Sequence, residues 1–111
     1  MNKIILAKPV FNIHDAFKNL KIVLKSNYIN EGKQTEEFEK KISKILKVKY
    51  AVSVTSGTIA LFLALKACGV KNDDEVLIPN ITFPATANAV KMAGAKPILV
   101  DVDLVNLLID E

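Results

Sequence analysis

The sequence contains no arginine and no tryptophan, and it has a single cysteine, Cys68, and a single histidine, His14. One cysteine cannot form an internal disulfide, and one cysteine with one histidine is too few for a Cys/His metal site. We therefore predict neither an internal disulfide nor a metal site. We expect Cys68 to pack as a small apolar side chain at the end of a helix.

Lysine supplies all fifteen basic residues, and eleven of them lie in residues 1–50, against five acidic residues there. Proteins usually read bases and clamp carboxylates with arginine, because its planar guanidinium forms paired hydrogen bonds. The absence of arginine therefore argues against a nucleic-acid partner. The lysines of the first half are interpreted most simply as solvated helix faces.

Long apolar runs are also missing. Residues 51–70 form the one window long enough for a membrane span, but Thr55, Ser56, Thr58 and Lys66 fall within it. Such polar residues make a membrane-spanning helix unfavourable. The N-terminus does not have the form of a signal peptide, because a lysine and a proline follow its apolar residues at once. We expect a cytoplasmic protein without a membrane segment.

The spacing of apolar residues predicts two helices in the first half and alternating strands and helices in the second. The first helix is predicted over His14–Lys25, and the second begins after an N-cap at Thr35. Three strands and two helices follow, over Tyr50–Val54, Ile59–Cys68, Glu75–Ile78, Ala85–Ala93 and Pro97–Val102. Gly69 and Gly94 are predicted to end the last two helices.

Short, continuously apolar strands joined by helices are typical of an α/β fold with a mostly parallel sheet. The helix Ile59–Cys68 is apolar nearly all round, and such a helix must be enclosed on every side. Three strands and four helices cannot enclose it well. We therefore expect the chain to be a piece of a larger domain.

The turn before this helix reads Ser56-Gly57-Thr58. Free backbone N–H groups and the positive end of the helix dipole point out of such a turn, which makes it an anion site. Gly57 lets a ligand approach the backbone, and the two hydroxyls add donors. The alternative is that Ser56 only caps the helix and Gly57 only relaxes the turn.

Several stretches share their order and spacing with one enzyme family. They are Ile5–Phe11, Tyr28–Gly32, Glu37–Glu39, Lys49–Val52, Ser56–Leu61, Asp74–Pro79, Thr82–Val90, Gly94–Pro97 and Val100–Asp103. On these stretches the chain resembles the sugar aminotransferases of the DegT/DnrJ/EryC1/StrS family, fold type I enzymes that use pyridoxal phosphate (PLP). The resemblance covers essentially the whole chain and about the first third of the family's usual length.

The resemblance implies the N-terminal portion of an aminotransferase large domain, a three-layer α/β/α fold with a mixed, mostly parallel sheet, here incomplete. Residues 1–34 would form an arm, the first helix and a loop. Residues 35–111 would begin the large cofactor-binding domain. The family also implies a homodimer with shared active sites.

The resemblance assigns site residues as well. Ser56, Gly57 and Thr58 correspond to the turn that binds the cofactor phosphate, and Phe83 corresponds to the aromatic residue that stacks on the pyridine ring. The alternative for Phe83 is a loop residue tucked into the core. Asp101 and Asp103 match acids at a strand end and receive no catalytic role.

By family, the reaction is transfer of an amino group from glutamate or glutamine to a keto group of a nucleotide-linked sugar, for polysaccharide synthesis. It needs a lysine that forms a Schiff base with PLP and an acid that pairs with the pyridine nitrogen. In the family both lie downstream of the matching stretches, and no lysine of this chain has the matching context. We therefore assign no catalytic residue and expect this chain alone to be inactive. Two alternatives remain, a non-catalytic α/β module that binds a phosphorylated ligand and an inactive remnant of a broken reading frame.

Overall fold

A computed structural model describes residues 7–110; residues 1–6, which belong to the predicted arm, and residue 111 lie outside the described residues. The chain divides into two compact units, Met1–Ser53 and Val54–Glu111. Each unit is built from local sequence signals that can be followed residue by residue.

The first unit contains helices α1, Ile13–Lys25, and α2, Lys33–Leu46. Asn12 caps α1, because its side-chain oxygen accepts a hydrogen bond from the Asp15 N–H at 3.2 Å and its amide donates to the Asp15 carboxylate at 2.7 Å. A carboxylate in the first turn also interacts favourably with the positive end of the helix dipole. The first predicted helix is therefore confirmed to within one residue at its start.

The predicted N-cap at Thr35 is wrong. Helix α2 begins three residues earlier than predicted, after Gly32, whose extended backbone serves as the N-cap without a side-chain hydrogen bond. The Glu36 N–H donates to the Gly32 carbonyl at 3.1 Å. This bond closes the first helical turn, and Thr35 already lies inside that turn. A threonine hydroxyl is one of several ways to start a helix, and here an extended glycine takes its place.

The strand predicted over Tyr50–Val54 is also wrong, because this segment has no regular structure. The Ser53 N–H, which a neighbouring strand would otherwise use, donates instead to the Glu39 carboxylate oxygen Oε1 at 2.7 Å. The Ser53 hydroxyl donates to the same oxygen at 2.9 Å. The backbone bond first and the hydroxyl bond second stabilise the charged carboxylate and lower the pKa of Glu39 from its ordinary value of 4.5.

The second unit contains two helices and two strands. In chain order they are α3, Gly57–Ala67, β1, Glu75–Pro79, α4, Ala85–Met92, and β2, Lys96–Val100. The strands pair in parallel, from Glu75 opposite Lys96 to Pro79 opposite Val100. Helix α4 connects them and packs on both, and α3 packs on α4. The predicted α/β fold is confirmed, with two parallel strands among the described residues instead of three.

The core of this unit lies between α4 and the two strands. Ile78, Val90 and Ala95 are buried there. Leu65, Val70, Val76 and Ala87 are partly buried and pack around them. By contrast, no residue of α3 is buried, and Leu61 and Leu63 are 43% and 45% exposed. Part of the apolar circumference that the sequence shows is therefore open to solvent in this chain, while Leu65 packs on the core.

Both helices of the second unit end at a left-handed glycine, as predicted. Gly69 has φ 83° and Gly94 has φ 87°. The N–H of the residue after each glycine donates back across the last turn, Val70 to Leu65 at 3.0 Å and Ala95 to Val90 at 3.1 Å. These are the long bonds of a Schellman motif, and they satisfy carbonyls that a helix end would leave free.

Cys68 is exposed, so the expectation that it packs as an apolar residue is wrong. It is the C-cap of α3, where the chain turns away at Gly69 before it can cover the side chain. Nearby, the Lys66 ammonium donates to the Val70 carbonyl at 3.2 Å and to the Ala93 carbonyl at 3.5 Å. This contact ties the end of α3 to the end of α4.

None of the helices within residues 7–110 has both the length and the hydrophobicity needed to cross a membrane. Over the same range, the structure forms no cluster of three His, Cys, Asp or Glu side chains that could hold a metal ion.

Candidate functional site

Ser56 caps α3. Its backbone is extended, with φ −163° and ψ 161°, and its hydroxyl oxygen accepts a hydrogen bond from the Ile59 N–H at 3.3 Å. Its carbonyl accepts from the Ala60 N–H at 3.0 Å, which is the first bond of the helix. The capping role that the sequence left open is therefore present. It uses the Ser56 hydroxyl as an acceptor and leaves the hydroxyl proton free to donate.

The donors of this turn exceed what capping uses. Among the described residues, neither the Gly57 N–H nor the Thr58 N–H donates a hydrogen bond. The Thr58 hydroxyl adds a further donor. The first turn of α3 also contains no acidic residue, so no carboxylate offsets the positive end of the helix dipole. This donor set matches the oxygens of a phosphate, which accept hydrogen bonds and carry negative charge.

Gly57 is a glycine that the fold itself does not need. It is the first residue of α3, whereas the left-handed glycines are Gly69 and Gly94. A Cβ built on Gly57 would meet no atom within 4 Å. Neither backbone conformation nor packing therefore requires glycine at this position. The space beside its Cα is open, and a ligand could come close to the backbone there.

Phe83 lies in the loop between β1 and α4 and is 77% exposed. It is therefore not tucked into the core, the alternative that the sequence had left open. The Thr86 N–H donates to the Phe83 carbonyl at 3.0 Å. The Thr82 and Thr86 hydroxyls, one on either side of Phe83 in the chain, are 3.0 Å apart.

The structure brings three of the four predicted site residues to one cavity. Gly57, Thr58 and Phe83 line an open cavity of ≈ 640 Å³. The remaining wall consists of small or apolar residues and one threonine, namely Ala60, Leu61, Ala64, Ala85 and Thr86. Ser56 adjoins the cavity through its peptide bond to Gly57. The volume of the cavity lies within the range of small-molecule sites, which is about 300–1,000 Å³.

The chemistry of this cavity suits a flat ring that carries a phosphate. Hydrogen-bond donors lie at the first turn of α3, while an aromatic face and aliphatic side chains supply the rest of the wall. Aromatic rings stack best on flat apolar faces of this kind. Within residues 7–110, no charged side chain lines the cavity, so backbone N–H groups and hydroxyls would meet the charge of an anion there.

The sequence analysis missed the threonine pair beside Phe83. The signal was present, because Thr82 and Thr86 are four residues apart and flank the assigned aromatic residue. Side chains at that spacing meet only when the chain between them is helical or tightly turned. The sequence placed Thr82 in a loop and therefore did not suggest the contact.

Comparison with known proteins identifies a protein family whose members this chain resembles in sequence and in fold. The sequence profile of the DegT/DnrJ/EryC1/StrS aminotransferase family matches residues 12–111. The chain is 42% identical over 87 residues to the spore coat polysaccharide biosynthesis protein SpsC of Bacillus subtilis, which covers 78% of this chain. It is 44% identical over 81 residues, or 72% of this chain, to the GDP-perosamine synthase of Escherichia coli O157:H7.

Among solved structures, NtdA of Bacillus subtilis with bound cofactor PMP has a TM-score of 0.80 and 34% sequence identity to this chain. The match covers 92% of this chain and 26% of NtdA. In the two curated relatives, the matched region is 22% of the length of each. The chain thus spans about a fifth of the length of the curated relatives that it matches.

Proposed function

The chain belongs to the DegT/DnrJ/EryC1/StrS aminotransferase family, and on that premise we propose that it carries the phosphate and ring site of a PLP-dependent sugar aminotransferase. The observation that carries the proposal is the cavity shared by Gly57, Thr58 and Phe83. Two of the three predicted phosphate-binding residues, Gly57 and Thr58, and the predicted stacking residue Phe83 line it. They come from two different elements of the second unit, the first turn of α3 and the loop before α4.

Each site residue has a distinct role in this proposal. The Gly57 and Thr58 N–H groups and the Ser56 and Thr58 hydroxyls donate to the phosphate, and the helix dipole favours its negative charge. Phe83 stacks on the pyridine ring and fixes its plane. When bound, PLP supplies the electron sink that makes amino transfer possible. The residues of this chain hold and orient the cofactor.

The catalytic groups are proposed to lie outside this chain. By the family resemblance, we expect the Schiff-base lysine and the acid that pairs with the pyridine nitrogen downstream of the matching stretches. Lys66 is a poor substitute, because its ammonium donates to the carbonyls of Val70 and Ala93 at 3.2 and 3.5 Å. We expect the 111-residue chain to bind the cofactor without catalysing transamination.

The remaining features of the function are proposed on the names of the relatives and on the family. A GDP-perosamine synthase and a spore coat polysaccharide biosynthesis protein are among them, which supports a nucleotide-linked keto sugar as substrate and a role in polysaccharide synthesis. Glutamate or glutamine as amino donor, a homodimer and a cytoplasmic location belong to the same proposal. So does the division into an arm, helix and loop over residues 1–34 and the large cofactor-binding domain from residue 35.

The proposal is tested by calorimetric titration of the 111-residue chain with pyridoxamine phosphate. This probe has an amine where PLP has an aldehyde, so it does not form imines with the fifteen lysines of the chain. Thr58→Ala removes a hydroxyl donor to a charged group, which contributes about 1.5–3 kcal/mol. We expect its affinity to fall about ten- to a hundred-fold. Thr35→Ala, the same change in the first turn of α2, serves as the control.

Phe83→Ala separates the two parts of the site. It should weaken the binding of pyridoxamine phosphate and leave the affinity for inorganic phosphate unchanged, because the Phe83 ring is proposed to contact only the pyridine ring of the ligand. If Phe83→Ala changed neither affinity while Thr58→Ala weakened both, the chain would be a module for phosphorylated ligands in general. Equal binding by parent, Thr58→Ala and Phe83→Ala would mean that the turn is only a helix cap. Turnover of an amino donor by the parent would contradict the assignment of catalysis to groups elsewhere.

A further inference from the structure

The loop that carries Phe83 is fixed to β2 at its start. The Asn80 N–H donates to the Val100 carbonyl at 2.9 Å, and the Asn80 amide donates to the Asp101 carboxylate at 2.8 Å. These bonds join the carboxyl ends of the two parallel strands. They fix the backbone as far as Asn80, and residues 81–84 connect this fixed point to α4.

The end of the loop is fixed by residues on both sides of Phe83. The Thr86 N–H donates to the Phe83 carbonyl at 3.0 Å, which closes a turn over Phe83. The Thr82 and Thr86 hydroxyl oxygens are 3.0 Å apart, and either can donate to the other. This side-chain bond spans residues 83–85, of which Phe83 and Ala85 line the cavity.

Phe83 has little else to hold it. Its side chain is 77% exposed, and it takes no part in the hydrophobic core of the second unit. An exposed aromatic ring would otherwise sample several rotamers and backbone conformations, and ordering it on binding would cost conformational entropy. The backbone around the ring is the remaining means of orienting it before a ligand arrives.

We infer that the Thr82 and Thr86 hydroxyls form a clamp that positions Phe83 for stacking on a planar ligand. This inference rests on the proposed function, and it adds two positioning residues to the site. Thr86 itself lines the cavity, whereas Thr82 does not. A substitution at Thr82 is therefore the sharper test, because Thr82 can affect ligand binding only by fixing Thr86 and the loop that carries Phe83.

The experiment replaces Thr82 with valine, which keeps the shape of threonine and removes the hydroxyl. One neutral hydrogen bond corresponds to about a two- to tenfold effect on affinity. We expect Thr82→Val to weaken the binding of pyridoxamine phosphate by that factor and to leave the binding of inorganic phosphate unchanged, which also shows that the variant is folded. Thr82→Ser should restore binding, because it keeps the hydroxyl. Thr35→Val, in α2, controls for the loss of a threonine hydroxyl elsewhere.

The clamp also predicts coupling to the ring that it positions. In a Phe83→Ala background, Thr82→Val should have no further effect on pyridoxamine phosphate affinity, because no ring is left to position. NMR order parameters of the Thr82, Phe83, Ala85 and Thr86 amides should fall in Thr82→Val relative to the parent, and those of α3 should not.

Three results would overturn the inference alone: equal affinity of Thr82→Val and the parent, an undiminished effect of Thr82→Val in the Phe83→Ala background, or unchanged order parameters. A parent chain that does not bind pyridoxamine phosphate would overturn the proposed function and the clamp with it. The two failures are therefore distinguishable by the behaviour of the parent.

Discussion

Replacing Gly57 with alanine makes a prediction in which stability and binding change in opposite directions. In the free chain, the added methyl group meets no atom within 4 Å, and the residue is already helical. Alanine favours a helix over glycine by up to about 1 kcal/mol and narrows the unfolded ensemble. The variant should therefore be as stable as the parent or more stable, with a thermal midpoint higher by up to about 4 °C.

Binding should move the other way. A phosphate that accepts a hydrogen bond from the Gly57 N–H would lie against the Cα, in the space that the methyl group would occupy. Displacing it loses at least one hydrogen bond to a charged group, which contributes about 1.5–3 kcal/mol. The affinity for both inorganic phosphate and pyridoxamine phosphate should fall about ten- to a hundred-fold. Gly57→Val should be worse, because its branched Cβ fills more of the same space.

Gly69→Ala is the matched control, because a Cβ there also meets no atom within 4 Å. Its φ of 83° is left-handed, however, so alanine should cost about 1–2 kcal/mol of stability. Gly69→Ala should lower the midpoint and leave phosphate affinity unchanged, the reverse of Gly57→Ala. Calorimetric titration and thermal unfolding of both variants measure the two effects. If Gly57→Ala bound phosphate as tightly as the parent, no ligand approaches this residue and the site assignment is wrong.

Two further predictions concern contacts away from the cavity. Ser53 lowers the pKa of Glu39 in the folded chain below its ordinary value of 4.5. The contact between the two residues therefore contributes its full stability above pH 4.5, and this contribution is lost as the pH falls through the pKa of Glu39 in the folded chain. The difference in unfolding midpoint between the parent and Glu39→Gln should therefore shrink on acidification below that value, and a constant difference would contradict the assignment. Gly94→Ala should destabilise by about 1–2 kcal/mol in urea unfolding, since Gly94 has φ 87°. A Cβ on Gly94 would also run into the Asn72 side chain, which adds to the loss of stability. Asn72→Ala should recover this added part and leave the loss caused by the left-handed backbone. Full recovery would mean that the backbone conformation is not strained.

Elements with local signals were predictable from the sequence. Gly69 and Gly94 mark the helix ends because left-handed backbone is costly for other residues, and that cost is a property of a few adjacent residues. The two paired strands were placed within two residues of their ends. The Ser56 cap was one of two roles that the motif left open, and the family resemblance named both Gly57 and Phe83 as site residues.

Elements that depend on distant partners were not predictable in the same way. A β-branched run such as Tyr50–Val54 has the propensity for a strand, but a strand forms only where another strand offers hydrogen bonds. In the described residues Ser53 bonds to Glu39 instead. Glu39 lies in α2, and nothing in its local sequence pattern points to a residue fourteen positions later.

The contrast among the glycines bears on how this chain would change under selection. Gly69 and Gly94 serve the fold, so any folded descendant would tend to keep them. Gly57 serves no need of the free chain, and mutation to alanine there would pass without harm once no ligand required the space. In a remnant drifting without function, Gly57 should be among the first glycines replaced. In the free chain, Gly57 is therefore the glycine whose replacement by alanine the fold would tolerate best.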